Sequence, residues 1–140
     1  MKMSATVEQR IVLRVEAAPP AKDSDTSIRN PKHARFVLVE ALRRVMKEVM
    51  ASHTPFEGVA LCMEMRYHRA TGRADALNLI NGVSDIIQRQ CGKLHLHDVW
   101  VIDNDVNIRE FHYKEERADY DHYEVVIRPM DSPLVSVEFC

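Results

Sequence analysis

The sequence is poor in glycine and cysteine, and it has no long apolar run. Four glycines in 140 residues, all scattered, exclude a Gly-rich loop of the kind that cradles phosphates. The three cysteines, Cys62, Cys91 and Cys140, are odd in number and widely spaced. With no Cys-x-x-Cys pair there is no zinc-finger signature, and reduced thiols are expected. No apolar stretch approaches the ~20 residues of a membrane span. The opening "MKMSATVEQR" lacks the apolar core of a signal peptide. The expectation is a cytoplasmic protein with no membrane partner. No arrangement of Ser or Cys with His suggests a nucleophilic triad, and no repeat or low-complexity segment is present.

What is there suits one globular unit. Apolar residues make up 46% and charged residues 29% of the chain, the balance of a globular domain with a sizeable core. A single domain over residues 1–140 is expected, with residues 1–8 as a flexible N-terminus. The net charge of −2 is unevenly placed. Residues 1–50 carry ten Lys/Arg against six Asp/Glu, and residues 51–140 carry nine against fifteen. A net-acidic chain is not the usual strong nucleic-acid binder, although its basic N-terminal half is compatible with a local phosphate-binding face. A mixed, solvated surface is the plain alternative.

The pattern of apolar residues predicts the elements. "RIVLRVEA" alternates at period two and reads as a strand. The Pro- and Asp-rich "APPAKDSDTSIRNPK" is a long loop. Asn30 and Pro31 are placed as N-cap and first residue of a helix, whose stripe is Leu38, Leu42, Val45, Met46 and Val49. "FEGVALCMEMRYHR" reads as a strand with Val59, Leu61, Met63, Met65 and Tyr67 on one face. A second helix runs from about Asp75 to Gln90, with Leu79, Ile80, Val83, Ile86 and Ile87 inward. "VWVID" reads as a short buried strand, "VNIREFHYKEE" and "HYEVVIRP" as two more, and "SPLVSVEF" as an edge strand. That order predicts an α+β fold, a mixed β-sheet with two main helices packed on one face.

The residues with chemical potential are acidic. Asp75 stands where the chain enters the second helix, and "VWVIDNDVN" brings Asp103 and Asp105. Each has an ordinary structural reading: an N-cap contributing about 1 kcal/mol, and an Asx-rich turn. Together they are a candidate oxygen-ligand set for Mg²⁺, which needs few protein carboxylates because it keeps several waters. Lys22, Arg29, Lys32 and Arg35 cluster on the long loop and the start of the first helix. His95 and His97 alternate in the "HLHD" run without a matching Cys/His partner, and two surface histidines are the better reading. His112 is placed to approach the acidic residues.

The spacing of these residues resembles the RusA family of Holliday-junction resolvases over nearly the whole chain. The likeness begins at "IVLRVEAAPPAK" and is most specific in "RADALNLINGVSDIIQ". There Asp75, Asn78, Leu79 and Asp85 match an Asp-x-Asp-Asn-Leu-x-Lys pattern followed by a further Asp. "IDNDVNI" is similar to the family's Asp-Asp-x-Gln-Val turn, with Asp105, Asn107 and Ile108 in register. Two positions depart from the pattern. Leu77 stands where the family has its second aspartate, and Asn81 where it has a lysine.

The resemblance implies a RusA-like fold and a Mg²⁺-dependent, structure-selective endonuclease acting on branched DNA, with Mn²⁺ as a substitute ion and a homodimer as the working form. In that reading Asp75, Asp103 and Asp105 hold metal and Asn81 sits among the catalytic positions. Asp103 replaces the carboxylate that Leu77 lacks, and Lys22, Arg29, Lys32 and Arg35 contact DNA. The alternative is a RusA-like module without catalysis that binds branched DNA or a protein partner.

Overall fold

The computed structural model describes residues 9–22, 34–89 and 99–130. In chain order these form β1 (Ile11–Val15), α1 (Ala34–Met50), β2 (Leu61–Arg69), α2 (Ala76–Ile87), a single 3₁₀ turn (Asp105–Asn107), β3 (Ile108–Arg117) and β4 (His122–Pro129). The strands make one mixed sheet in the order β1-β4-β2-β3. β4 is antiparallel to both β1 and β2, whereas β2 and β3 run parallel. The expected α+β fold is what forms. The helix start at Asn30 and Pro31, the "HLHD" run and the edge strand "SPLVSVEF" lie outside the described residues.

Alternation along the strands decides the two faces of the sheet. Ile11, Leu13 and Val15 of β1, Leu61, Met63, Met65 and Tyr67 of β2, and Tyr123, Val125 and Ile127 of β4 are all buried in one core with residues of both helices. The other face carries Glu64, Arg66 and His68 of β2 beside Glu110, His112 and Lys114 of β3. β2 lies between β3 and β4, so its Leu61, Met63, Met65 and Tyr67 supply the centre of the core.

α1 turns a slightly different face inward from the expected stripe. Val39, Leu42 and Met46 are fully buried, while Leu38, Val45 and Val49 are only partly covered. The buried line therefore runs i, i+3, i+7 from Val39, and Arg35 falls on the same line one turn earlier. α2 matches its expected face more closely. Leu79, Val83, Ile86 and Ile87 are buried and Ile80 is half-covered.

"VWVID" differs from the expected strand. Ile102 makes isolated parallel bridges to Phe56 on one side and Gln88 on the other. Val101 and Ile102 are fully buried, and five backbone bonds hold the segment: Phe56 N–H to Val101, Asp103 N–H to Phe56, Val101 N–H and Ile102 N–H to Ile87, and Arg89 N–H to Ile102. The segment satisfies its backbone groups at the end of α2 and in the loop before β2, so it joins no ladder. Among the described residues no helix is long and apolar enough to cross a membrane.

One carboxylate fastens the end of β2 to the turn between β3 and β4. Asp121 accepts hydrogen bonds from Tyr67 Oη at 2.8 Å, Ala70 N–H at 2.7 Å and Thr71 Oγ1 at 2.6 Å. Immediately beyond, Gly72 takes φ +88°, a left-handed conformation that glycine adopts without a Cβ clash. Partial burial pushes the Asp121 carboxyl up, but the bonds from Thr71, Ala70 and Tyr67 together outweigh it and hold it at about 2, below the ordinary 3.8. A depressed carboxyl contributes stability that is present above pH 3.8 and is lost as pH falls toward 2. Asp121→Ala is expected to lower unfolding free energy at pH 7 by about 2 kcal/mol, because charge-assisted bonds are lost and the part-buried donors of Tyr67 and Ala70 are left alone. Urea titrations between pH 2 and about pH 5 should also show a shallower acid dependence in the variant than in the parent.

Candidate functional site

The site residues lie along α2 and at its C-terminal end. Asp75 is the N-cap of α2. It has extended backbone, and its carboxylate accepts the Asn78 N–H at 2.9 Å. The Arg69 guanidinium donates to the Ala74 carbonyl at 2.8 Å and so fixes the chain just before the cap. Ten residues separate Asp75 from Asp85, about 15 Å of helical rise. Asp85, not Asp75, is the acidic neighbour of Asp105. The Asp105 carboxyl is raised above the ordinary range by loss of hydration and by the Asp85 charge, with Lys22 acting in the opposite direction. The Asp105 N–H also donates to Gln88 Oε1 at 3.1 Å, at the C-cap of α2.

This geometry corrects the expected ligand set. Among the described residues, Asp75, Asp103 and Asp105 do not gather their carboxylates within 4.8 Å of one another. Asp75 stands at the other end of the helix from the Asp85 and Asp105 pair. Asp103 is only 2% exposed. Its two oxygens accept the Gly58 N–H at 2.6 Å and the Asn104 N–H at 2.8 Å. It is a loop staple, not a spare ligand. Asn104 accepts the Val106 N–H at 3.0 Å and caps the 3₁₀ turn, as an Asx turn does.

Lys22 reaches the acidic pair because the Pro-rich loop crosses α2 against a glycine. The Lys22 N–H donates to the Asn78 carbonyl at 3.0 Å, and Lys22 Nζ lies 3.2 Å from Asp85 Oδ2. A Cβ on Gly82 would stand 1.9 Å from the Pro20 carbonyl oxygen and 2.8 Å from the Lys22 nitrogen. No side chain fits there. The ion pair is well exposed and contributes less than about 1 kcal/mol. The close approach at Gly82 and the backbone bond are therefore what place the lysine.

Arg35 is corrected as well. It was expected among the DNA-contacting cations, but it is 6% exposed. Its Nε donates to the Ala21 carbonyl and ties α1 to the same loop. The guanidinium is thus a positioning group for the loop, and it lines the cavity beside the loop crossing. Arg29 and Lys32 lie outside the described residues. A cavity of about 590 Å³ opens beside the loop crossing, with Leu38 and Leu79 in its wall and Lys22, Arg69 and Arg73 around it.

Asn81 is exposed one turn before Asp85 on the same face of α2, and Leu77, one turn earlier still, is 71% exposed. His112 points away from this site. It lies on the sheet face opposite the helices and contacts Glu110. Reading the sequence pointed to Lys22 as a cation but missed its pairing with Asp85. The usable signal was Gly82, a glycine in mid-helix, which costs about 1 kcal/mol against alanine and so marks a close contact. No protein-family model matches the chain, and neither does any curated protein.

Two stability measurements check this site. Gly82→Ala forces the Pro20–Lys22 backbone outward and is expected to cost about 1–3 kcal/mol, read from the urea midpoint. Because the Asp105 carboxyl is raised in the folded chain, its favourable contribution exists below the unfolded value of 3.8 and is lost as pH rises through the folded value. Asp105→Asn should therefore raise the thermal midpoint at pH 7 and leave it nearly unchanged at pH 3.

Proposed function

We propose that this protein is a Mg²⁺-dependent, structure-selective DNA endonuclease acting on four-way junctions, with Asp85, Asp105 and Lys22 at its centre. The observation that carries the reading is the juxtaposition of two carboxylates with a lysine alongside: Lys22 pairs with Asp85, and Asp105 is raised first by loss of hydration and second by the Asp85 charge. Such a pair favours a cation that relieves its mutual repulsion. The donors are hard oxygens, which suits Mg²⁺ and, as a substitute, Mn²⁺. Asp85 and Asp105 are the residues that would hold the ion. Bound there, it would supply Lewis-acid charge and a more acidic water.

The chain's own groups would do the remaining work. The Lys22 ammonium, held beside Asp85, meets a phosphate oxygen and offsets its charge. Asn81, exposed on the same helical face, donates a neutral hydrogen bond to the backbone of the substrate. This is weaker than the charge-assisted bond a lysine at that position would give. Asp75 holds the start of α2. The reading carries a homodimer, since a four-way junction presents two symmetric strands and isologous pairing suits that symmetry. It also carries a cytoplasmic site of action with reduced thiols.

A second reading is favoured by Leu77 and Asp103. Leu77 is an apolar, largely exposed side chain where the resembling family has a carboxylate, and Asp103 is withdrawn into its loop. Two carboxylates and a lysine suffice for a module that binds branched DNA through a bound cation and has lost cleavage.

The test is a synthetic four-way junction incubated with the full chain and Mg²⁺ or Mn²⁺. Symmetric nicking that falls at least a hundredfold in both Asp85→Asn and Asp105→Asn supports the nuclease. A gel shift without nicking supports the silent module, and neither nicking nor binding sinks both readings. Lys22→Ala should also reduce the slope of log affinity against log salt by about 1.

A further inference from the structure

We propose that Cys62, Glu110 and His112 form a binding site for a zinc-class transition-metal ion on the sheet face opposite the helices, independent of the acidic pair at Asp85 and Asp105. The three lie on adjacent parallel strands. Cys62 of β2 is opposite Glu110 of β3, and His112 is two residues further along β3 on the same face. A shift in pairing between Leu61 and Cys62 sets this alignment. One ligand atom from each of the three lies within 4.8 Å of the others, and among the described residues this is the one cluster of three such side chains that does so.

The donor set decides the metal. Sulfur, imidazole nitrogen and carboxylate oxygen together are the ligands of zinc, whereas Mg²⁺ and Ca²⁺ take oxygen alone. Thiolate and carboxylate would neutralise the two charges of the ion. Glu64, opposite His112 in register, is held by Arg128 at 3.6 Å, so the guanidinium near the thiol carries its own counter-charge. Three protein ligands leave a fourth position for water, the arrangement of an open zinc site. The His112 Nε2 and Glu110 Oε2 contact of 2.5 Å has to widen to about 3.3 Å to flank a tetrahedral ion. Both side chains are solvent-accessible and free to make that adjustment.

Burial shelters the thiol from redox exchange. Cys62 is fully buried and in no disulfide. A metal bound here takes the thiolate and releases the thiol proton to solvent. The ligands are separated by some fifty positions in sequence, which is why no short zinc motif announces them.

Cobalt(II) is the probe. The full chain is titrated with Co²⁺ under reducing conditions and absorbance is followed. The expected result is one Co²⁺ per chain, a thiolate-to-cobalt charge-transfer band, tetrahedral ligand-field bands and loss of all of them on adding Zn²⁺. Cys62→Ser should abolish the charge-transfer band. His112→Ala, at an exposed position, should weaken Co²⁺ binding by about tenfold or more. A chain with both Cys91→Ser and Cys140→Ser should keep the band, as should Asp85→Asn and Asp105→Asn. No charge-transfer band in the parent, a band persisting in Cys62→Ser, or unchanged affinity in His112→Ala overturns the proposal. If Cys62→Ser fails to fold by circular dichroism, His112→Ala and the two-cysteine variant decide the question.

Discussion

A parallel pair of strands at one side of the sheet constrains everything that lies between them. β2 and β3 run in the same direction, so no hairpin can join them, and the chain must return along the sheet before β3 begins. That return contains α2, the stitched segment around Ile102 and the 3₁₀ turn. Asp75, Asn81, Asp85, Asp103 and Asp105 all belong to it. The crossover buries one side of α2 against the core, and its end is clamped by backbone bonds between Ile87, Arg89 and residues 101–102. Asp75, Asn81 and Asp85 therefore stand on one packed helix, where helix rise sets their spacing.

The second constraint is steric. The Pro-Pro loop after β1 can rest on α2 only where the helix has no side chain, and Gly82 supplies that place. Arg35 holds the loop from the α1 side and the Asn78 carbonyl holds it from the α2 side. A lysine delivered in this way lies beside two carboxylates, one of them raised by burial and by the other's charge. Like-charge proximity of this kind opposes stability, so its presence weighs toward a functional use of the pair.

The sheet itself divides the molecule's chemistry. One face is apolar and supports the helices. The other is lined with charged groups and histidines, including the stacked rings of His68 and His122 at 4.3 Å and the Cys62, Glu110 and His112 cluster. Oxygen donors gather at the end of α2, whereas sulfur and nitrogen donors gather across the sheet. These sets differ in hardness and favour different ions.

Alternation and helical periodicity are local properties, and the sequence by itself determined the core strands, the inward faces of Leu79 to Ile87 and of Leu61 to Tyr67, the cap at Asp75 and the α+β class. Local pattern also showed that Asp103 and Asn104 belong to a turn. The tertiary structure alone decided which acids meet. Asp85 matched the pattern of the family the sequence resembles but stood outside the expected ligand set until the crossover brought Asp105 to its end of α2, and Arg35, expected as a DNA contact, lies on the buried line of α1. It also decided that Cys62 and His112, fifty positions apart, share a patch of sheet. Strand pairing and the close approach at Gly82 are long-range contacts, selected by the packing of the whole chain, and no short window of sequence contains them.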